Sequence, residues 1–593
     1  MATGEGIRLV DFPASSGFSD TDLIFMTKGG ASVKGTIAQL KDALAVNPAY
    51  DELTAGVDFT PGVSTSVTLG NLYGNPQNAR VFFDAGYQGR DQILSLVGYV
   101  MTFTSAIPLG TQKIYVFGDS RREIGEPSDG TITDAKAAAR SALFNRIFDP
   151  INPKDPAYGA VGNTVVNVSG AFVSGHDDTA AIQAAAAVAH ARGGGRIELT
   201  GTFCVKSSIQ LYDNVELVGK GGSIFYRKPA FDYQHCVILQ GKNSAVRNLN
   251  ISCDPSFVRG DTGFGICVNG AADSIVEGCT LNDIASAAIW VTNSTNTRVT
   301  GCRISSPKAD GIHFSDGSNG FVASHNVLTG TQDDALAVVL DTVGGVQPQN
   351  GVLVGNLVNG TVNGHGVVFI GCVNLSIDAN TLLNIGSASG IGNYQWNADT
   401  RKATNISITS NLISRTGLTT GGFGPINPLG VHGILLGFCA DTTVMGNTIS
   451  DINDNAGYTS AAIFLYAYTR VFIKGNTFKN CVSHGVWVYD ATPSSPGDLT
   501  DLFIDDNLFF NVVKYAIKAN PTTAFLNGLF VTHNKYKDCG YGVGISNVVS
   551  LGRTQATPLR YIGNIQLNRE SQLPLLDATN ASDIVKGNNI PTF

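Results

Sequence analysis

Apolar and polar positions repeat along the second half of the chain at intervals of 24 to 36 residues. An asparagine marks each repeat: Asn326, Asn356, Asn380, Asn411, Asn447, Asn476, Asn507, Asn534 and Asn564. Eight of the nine have an apolar residue three positions earlier and another two positions later. A period of this length is typical of stacked coils, and the alternation is typical of strands with one face turned inward. The pattern predicts a right-handed parallel β-helix in which each asparagine amide bonds the coils above and below.

A second column of strands lies about 20 residues before each asparagine, and it begins with a small residue followed by apolar alternation. Examples are Gly311-Ile312, Ala335-Leu336-Ala337-Val338, Gly366-Val367-Val368-Phe369 and Gly433-Ile434-Leu435-Leu436. Earlier coils have Cys279 and Cys302 in place of the asparagine. Counting from Phe203, we expect roughly a dozen coils, and hence a rod of roughly 55–60 Å at about 4.8 Å per coil.

The part before the repeats is organised differently. We expect residues 1–45 to be a segment too short for its own core, which folds on a partner or in an oligomer. Residues 46–118 alternate like the strands of a small β-sandwich, and residues 119–157 form a linker with a short helix over 135–148. Residues 158–570 form the β-helix, and a tail occupies 571–593. A capping helix starts at Asp177-Asp178-Thr179, stops at Gly193, and closes the N-terminal mouth of the rod.

Composition agrees with a turn-rich β protein. Only 8 of the 47 acidic residues are glutamate, and aspartate favours turns where glutamate favours helices. The net charge of −8 argues against nucleic acid or an anionic membrane as partner, and no apolar run is long enough to insert into a membrane. The N-terminus lacks a secretory signal. The ten cysteines form no CxxC pair, so we expect small buried residues, no metal site and synthesis in a reducing cytosol. We predict no cofactor.

A family resemblance rests on the start of the rod. Tyr158-Gly159-Ala160-Val161-Gly162, the helix at 177–183, Gly193-Gly194-Gly195 and Asn214-Val215-Glu216-Leu217 resemble the opening of the pectate-lyase-like β-helix superfamily. The first 40 residues resemble the virion-attachment segment of bacteriophage tail fibres and tailspikes. Together these features resemble a tailspike, a family that binds and usually cleaves host surface polysaccharide as a homotrimer. The resemblance implies a virion protein that is made in the host cytoplasm, is anchored to a tail or baseplate protein through its N-terminus, and acts at the host surface.

Hydrolysis of a glycosidic bond usually needs two carboxyl groups, one acting as acid and one as base or nucleophile. Between residues 278 and 569 every carboxylate side chain is an aspartate. The best cluster is Asp310, the Asp333-Asp334 pair and His365, which all lie just before the same strand in successive coils. Stacking predicts one column with a spacing of roughly 5 Å. Close carboxylates push their pKa values apart, which yields an acid and a base.

The order of these residues resembles the polygalacturonase-type glycoside hydrolases, whose signature is Asp, then Asp-Asp, then Gly-His-Gly. The resemblance implies that Asp310 and Asp333 activate water, that Asp334 is the acid and that His365 positions substrate. The family's Arg-Ile-Lys, which grips uronates, is replaced here by Gly392-Asn393-Tyr394-Gln395-Trp396, and the loop 340–351 is longer. The resemblance therefore does not extend to a uronate substrate or to a firm assignment of the individual roles.

Aromatic side chains are the expected sugar platforms. Tyr394 and Trp396 interrupt the apolar pattern, and we predict that they bind substrate together with His313. Further candidates in later coils are Tyr466, Tyr468, Trp487 and Tyr489, although Trp487 fits a core strand equally well. The aspartates and histidines also have a structural interpretation, because an Asp before a strand often accepts hydrogen bonds from the N–H groups of its turn.

Three functions remain open from the residues alone. The leading one is a tailspike endo-glycosidase that hydrolyses capsule or O-antigen. The second is a polysaccharide lyase on the same scaffold, with Arg303, Lys308 or Arg401 as candidate base. The third is an adhesin that binds bacterial glycan without cleaving it. In each case we expect a parallel homotrimer.

Overall fold

The computed structural model describes residues 23–28, 31–36, 47–73, 76, 79–120, 150–228, 234–418, 431–453, 460–489, 499–519, 526–545, 559–567, 576–578, 584–587 and 590–591. The chain divides into two compact units, residues 1–144 and 145–593. The short helix predicted over 135–148 lies outside the described residues.

The first unit contains two small antiparallel sheets with one apolar core. Its strands are Asn47–Thr54, Ala79–Phe83, Gly86–Gln88 and Lys113–Ser120 in one sheet, and Ser66–Thr68, Ile93–Val97 and Val100–Phe103 in the other. A 3₁₀ helix spans Arg90–Gln92. Side chains from both sheets, such as Val81 and Met101, are fully buried in the same core. Upstream, Leu23–Lys28 and Ala31–Thr36 pair as an antiparallel hairpin.

The second unit is a parallel β-helix, as predicted. Each coil passes through three parallel sheets, which are numbered here in chain order as sheets 1, 2 and 3. The asparagine turn lies between sheet 2 and sheet 3. Two long strands, Ile434–Met445 and Ala461–Lys474, run through both sheet 1 and sheet 2. Before the first full coil, Val165–Val166 and Phe172–Ser174 pair antiparallel.

The other strands of sheet 1 are Ile209–Leu211, Val237–Leu239, Ile266–Asn269, Ile289–Thr292, Ile312–Phe314, Leu336–Val339, Val367–Ile370, Ile391–Asn393, His484–Val488, Tyr515–Ala519, Tyr541–Ile545 and Leu576–Ala578. Those of sheet 2 are Gly195–Leu199, Val215–Gly219, Ala245–Arg247, Ile275–Glu277, Arg298–Thr300, Val322–Ser324, Gln349–Val354, Val373–Asp378, Ala403–Thr409, Leu499–Asp505, Leu526–Thr532, Leu559–Ile562 and Ile584–Gly587. Those of sheet 3 are Thr202–Val205, Ser223–Tyr226, Asn250–Ser252, Thr280–Asn282, Arg303–Ser305, Val327–Thr331, Leu357–Thr361, Thr381–Ile385, Leu412–Thr416, Thr448–Ile452, Thr477–Cys481, Leu508–Val512, Lys535–Lys537, Ile565–Leu567 and Ile590–Pro591.

Sheet 3 has 15 strands among the described residues, so the rod has more coils than the dozen or so predicted. Part of the difference lies at the C-terminal end. Leu576–Ala578, Ile584–Gly587 and Ile590–Pro591 pair with the preceding strands of sheets 1, 2 and 3. Coil pairing therefore extends past residue 570, where the sequence analysis ended the rod.

The asparagine column forms the predicted ladder. In each step the side-chain oxygen of one asparagine accepts hydrogen bonds from the backbone N–H and the side-chain amide of the asparagine one coil earlier. Asn380, for example, donates both of these to Asn411 Oδ1, at 2.9 and 3.0 Å. The Asn411 amide in turn donates to Asn447 and to the carbonyl of Ile377, each at 2.9 Å. Because these polar groups are buried, their mutual hydrogen bonds remove the penalty of burying them.

The helix Thr179–Ala191 covers the first coils, as expected. Its buried side chains, Ala181, Ile182, Ala185, Ala186 and Ala189, join the core of the rod. The start of the helix differs from the prediction in one respect. Asp178 does not cap the helix but accepts hydrogen bonds from the N–H groups of Val161 and Gly162, at 2.8 and 3.0 Å, and so ties the preceding segment down.

The cysteines confirm the expectation of small buried residues. All ten are free thiols, and nine of them are buried. Among the described residues, no helix has the length and apolar character needed to span a membrane.

Candidate active site

The candidate site lies where each coil turns from sheet 3 into sheet 1. Strand pairing aligns Ile312 with Leu336 and Leu336 with Val367. The residues two positions earlier, Asp310, Asp334 and His365, therefore occupy one column. Asp333 directly precedes this column. One oxygen from each of the three aspartates lies within 4.8 Å of the others. The structure thus brings these four residues together, and their catalytic roles stay a prediction.

Asp310 uses both carboxylate oxygens inside the protein. One oxygen accepts the backbone N–H of Asp334 at 3.1 Å, and the other lies 2.7 Å from His313 Nδ1. The residue is only 6% exposed. Asp310 therefore fixes the turn that carries Asp334, and its geometry fits a positioning residue better than a group that contacts substrate.

Asp334 is held by the next coil. Its Oδ1 atom accepts the backbone N–H of His365 at 2.6 Å and lies 2.9 Å from His365 Nδ1. The close fit of the His365 ring depends on Gly392 in the following coil, because a Cβ atom there would overlap the imidazole. The Gly392 that departs from the family signature thus makes room for His365.

Asp333 is paired with a distant residue of the chain. Arg259 lies in the loop between the strands Asn250–Ser252 and Ile266–Asn269 and donates from its guanidinium to Asp333 Oδ2 at 2.7 Å. Burial, followed by the charge of Asp310, raises the pKa of Asp333 despite this arginine. Burial likewise raises the pKa of Asp310.

Within the described part of the chain, Asp333 and Asp334 each keep one carboxylate oxygen that makes no hydrogen bond to protein. Both side chains remain partly exposed, at 18% and 15%. These two oxygens are therefore the ones available to a bound molecule.

His313 lies between two carboxylates. Its Nε2 atom is 3.0 Å from Asp341 Oδ2, opposite the contact with Asp310, and Ser315 donates to the same Asp341 oxygen at 2.7 Å. The ring stacks on Trp290 at 3.8 Å between centroids. Burial alone would lower the pKa of His313, but the two carboxylates outweigh it and raise the pKa to about 10. His313 is thus an imidazolium near neutral pH, buried under Trp290. The role of His313 in binding substrate stays a prediction.

The predicted aromatic platforms lie on the C-terminal side of the carboxylates. The Tyr394 ring is 5.5 Å from the His365 ring, and Trp396 lies 6.5 Å from Tyr394 in an edge-on arrangement. Trp396 is 60% exposed. Both residues therefore border the site on its outer face, where a sugar ring could stack.

The later aromatic residues separate into two groups. Tyr468 is fully buried in the interior of the rod, so it cannot be the platform that the sequence allowed. Tyr466, Trp487 and Tyr489 instead cluster on the outer face of sheet 1. Trp487, which fitted a core strand equally well, is half-buried on that outer face.

The basic residues considered for a lyase do not reach the carboxylates in the contacts of the described residues. Arg401 pairs with Asp399 at 2.6 Å, and Lys308 lies 4.0 Å from Asp283. Arg303 is an exposed residue of sheet 3. The cation that does reach the site, Arg259, was missed by sequence reasoning. It lies in an irregular loop whose residues follow no period, so no pattern could place it.

Asp341 was also missed, although its loop was recognised as unusually long. The three clustered aspartates could in principle hold a hard cation, since such ions prefer carboxylate oxygens. Arg259 and the His313 imidazolium, however, already supply positive charge to two of these carboxylates. The donor set therefore does not favour a metal ion.

Comparisons with known proteins give weak similarity at the level of whole structures. The tailspike protein of E. coli bacteriophage HK620, solved with a pentasaccharide, is 14% identical, with 74% of this chain and 80% of that chain covered and a TM-score of 0.46. The A-module of the Azotobacter vinelandii mannuronan C-5 epimerase AlgE6 is 18% identical, with 66% of this chain and 98% of that chain covered and a TM-score of 0.46. The catalytic unit of a GH87 α-1,3-glucanase from Streptomyces thermodiastaticus is 14% identical over 97% of both chains, with a TM-score of 0.42.

No curated protein sequence matches the chain. The family model described as the right handed beta helix region matches three overlapping segments, 200–347, 235–413 and 366–551. Together they span more than half of the chain and contain every residue of the candidate site. The chain therefore belongs to the right-handed β-helix family.

Proposed function

We propose that this protein cleaves a polysaccharide by endo-glycosidic hydrolysis. The observation that carries the proposal is the pair Asp333 and Asp334, each with one carboxylate oxygen directed to no protein donor. Two such groups at one point on the outside of a rod match the acid and base that glycoside hydrolysis requires. The long outer face of sheet 1 suits an extended chain cut at an internal bond.

Burial and the neighbouring charge of Asp310 favour Asp333 as the general acid. Its raised pKa lets it keep a proton, which it would donate to the glycosidic oxygen as the bond to the anomeric carbon breaks. The family resemblance implies the reverse, with Asp334 as the acid. Asp334, however, is held by the backbone N–H and the ring of His365, so that its free oxygen has a fixed position from which to accept a proton.

Asp334 then serves as the general base. Its free oxygen would take a proton from water while the water oxygen attacks the anomeric carbon, so that the product gains one new reducing end. Asp310 holds the Asp334 backbone, and His365 holds the Asp334 side chain. Both residues act by keeping this base in place.

The test is incubation with a panel of purified capsular and O-antigen polysaccharides. Hydrolysis gives new reducing ends without ultraviolet absorbance, whereas a lyase gives unsaturated ends that absorb. An adhesin gives binding and no fragments. We expect reducing ends from at least one polysaccharide and their loss in Asp333→Asn. A panel that yields only unsaturated ends would establish the lyase, which is disfavoured because Arg401 and Lys308 contact Asp399 and Asp283 instead of the site carboxylates.

We further propose that the protein is a phage tailspike, a homotrimer that attaches to the virion through its N-terminal segment. The supporting observation is the order of parts, with a hairpin and a small β-domain before the rod. Light scattering should give three times the chain mass, and a stable monomer would refute the trimer. Removing residues 1–125 should abolish virion incorporation and leave glycan cleavage intact. Loss of folding in that truncation would contradict the independence of the rod.

A further inference from the structure

A second group of unusual side chains lies on sheet 1 well beyond the candidate site. The strands His484–Val488 and Tyr515–Ala519 are neighbours, and their pairing puts Trp487 beside Lys518. The ammonium group of Lys518 lies 5.9 Å from the centre of the Trp487 ring and 5.5 Å from that of Tyr515. Trp487, Tyr515 and Lys518 are all half-buried, so a ligand can reach them.

Lys518 differs from those lysines of the rod that form ion pairs. Lys474 pairs with Asp505 at 3.1 Å, and Lys228 pairs with Asp261 at 2.7 Å. Within the described part of the chain, no carboxylate pairs with Lys518. Burial, followed by the charge of Lys514, lowers the pKa of Lys518, which means that a counter-ion would stabilise it.

Buried polar atoms next to Lys518 also lack partners. His484 is 1% exposed, and its ring lies 5.3 Å from Trp487 and 5.7 Å from Tyr515. Its Nδ1 atom and the hydroxyl of the adjacent Ser483 make no hydrogen bond in the described structure. A buried polar group without a partner is costly, so such groups commonly mark a place for a ligand or an ordered water.

The position relative to the carboxylates is fixed by the strand register. His484 occupies the same column as Asp334, and five steps of pairing separate them. At about 4.8 Å per coil, the distance is roughly 24 Å. A polysaccharide that lies along sheet 1 would therefore contact both places at once.

The two places differ in charge. Around the cleavage point the four carboxylates of Asp310, Asp333, Asp334 and Asp341 outnumber the two cations, Arg259 and His313, and this excess disfavours an acidic sugar there. Beside the Trp487 ring, on which a sugar can stack, lie the cations Lys518 and Lys514. A cation beside an aromatic platform suits a sugar that carries a carboxylate.

We infer that the surface formed by His484, Trp487, Tyr515 and Lys518 is a distal subsite for a carboxylate-bearing sugar of the polymer that the enzyme cleaves. This inference rests on the proposed function for the path of the chain along sheet 1. It assigns the substrate class: a polysaccharide with a neutral sugar at the cleaved bond and an acidic sugar several units away. The carboxylate pairs with Lys518 while the sugar ring stacks on Trp487.

The experiment uses the full chain with Asp334→Asn, so that binding is measured without turnover. The probes are oligomers of alternating β-linked glucuronic acid and glucose, which can place a neutral sugar at the cleavage point, and oligomers of glucose alone with the same linkages and length, so that the two differ only in the carboxylates of every second sugar. Calorimetric titration should show tighter binding of the acidic oligomer, and added Lys518→Gln should weaken that binding by about tenfold or more. Binding of the glucose oligomer should not change.

Lys537→Gln is the matched control. Lys537 also lies over an aromatic ring, 5.3 Å from the centre of Phe510, but belongs to sheet 3. The Lys537→Gln variant should bind both oligomers as the parent does, and all variants should melt at the same temperature. Equal binding of the two oligomers by the parent, no binding of the acidic oligomer, or full acidic binding by Lys518→Gln would overturn the inference. A failure of the hydrolysis assay alone would instead overturn the proposed function.

Discussion

Two columns of polar side chains run along this rod, one at the asparagine turn and one at the turn into sheet 1. The first repeats the same residue from Asn326 to Asn564, and every step makes the same pair of hydrogen bonds. The second begins with two aspartates, Asp310 and Asp334, and then changes at each coil to His365, Ser389 and His432. Both columns arise from the same stacking of coils.

The difference separates a structural column from a chemical one. Identical amides satisfy one another, because each has both donors and an acceptor, so that ladder stabilises the stack and offers nothing to a ligand. Carboxylates cannot satisfy one another, because an ionised carboxylate has no donor. Asp334 in the second column and Asp333 beside it each keep a free oxygen. A β-helix thus exposes its candidate chemistry where the repeat is broken.

The sharpest test of this comparison is Asp334→Asn. The substitution keeps the shape and the acceptor for His365 but removes the base, so turnover should fall by roughly 10²–10⁴-fold. The melting temperature should stay close to wild type, since Asn can still accept the backbone N–H. Rates and melting curves are measured on the same preparation, and Asp333→Asn should give a comparable loss.

The two variants also distinguish the roles. In the residual activity, Asp333→Asn should lose the alkaline limb of the pH profile, which reports the acid. Asp334→Asn should lose the acidic limb. If Asp334→Asn instead loses the alkaline limb, Asp334 is the acid. Full turnover in both variants would mean that the active site lies elsewhere on the protein.

A substitution in the asparagine ladder should lower the stability and leave the turnover unchanged. Asn411→Ala leaves the buried N–H and amide donors of Asn380 without their acceptor, which should cost about 1–3 kcal/mol of stability. Turnover per folded molecule should not change. Denaturant unfolding measures the loss, and activity corrected for the folded fraction provides the comparison.

A control for the ladder exists on the surface. Asn374 bonds Asn350 and Asn405 in a second, exposed row of asparagines. Its backbone φ is +56°, so the control is Asn374→Gly, which avoids strain. A change within about 0.5 kcal/mol is expected. An equal loss in both variants would mean that burial does not explain the strength of the inner ladder.

The sequence predicted the rod because the coils repeat, and repetition is visible without a structure. Stacking also sufficed to bring Asp310, Asp334 and His365 into one column. Arg259 and Asp341 could not be predicted, because each reaches the site from an irregular loop. The free oxygens of Asp333 and Asp334 depend on side-chain geometry, which no periodicity encodes.

The contact between His313 and Asp341 gives a test in pH. The folded-state pKa of about 10 lies above the ordinary value of about 6.5, so the stabilisation is complete below pH 6.5 and is lost as pH rises towards 10. Asp341→Asn removes one of the two carboxylates and lowers this pKa. The variant should therefore be less stable than wild type near pH 7, and the difference should disappear above about pH 10. Melting temperatures across this range measure it. A difference that does not depend on pH would mean that Asp341 acts only through packing.

The smallest effect is expected at Trp396, which belongs to neither column. Its side chain is largely exposed and touches mainly Tyr394, so Trp396→Ala should change stability by no more than about 0.5 kcal/mol. If its ring stacks on a sugar, glycan affinity should fall by about threefold to tenfold. Titration of the cleaved polysaccharide against Asp334→Asn, with and without Trp396→Ala, measures the change. Tyr87→Ala is the control, because Tyr87 is comparably exposed but lies in the N-terminal unit. Unchanged affinity in the tryptophan variant would confine recognition to Tyr394 and to the outer face of sheet 1, where the residues that differ from coil to coil lie.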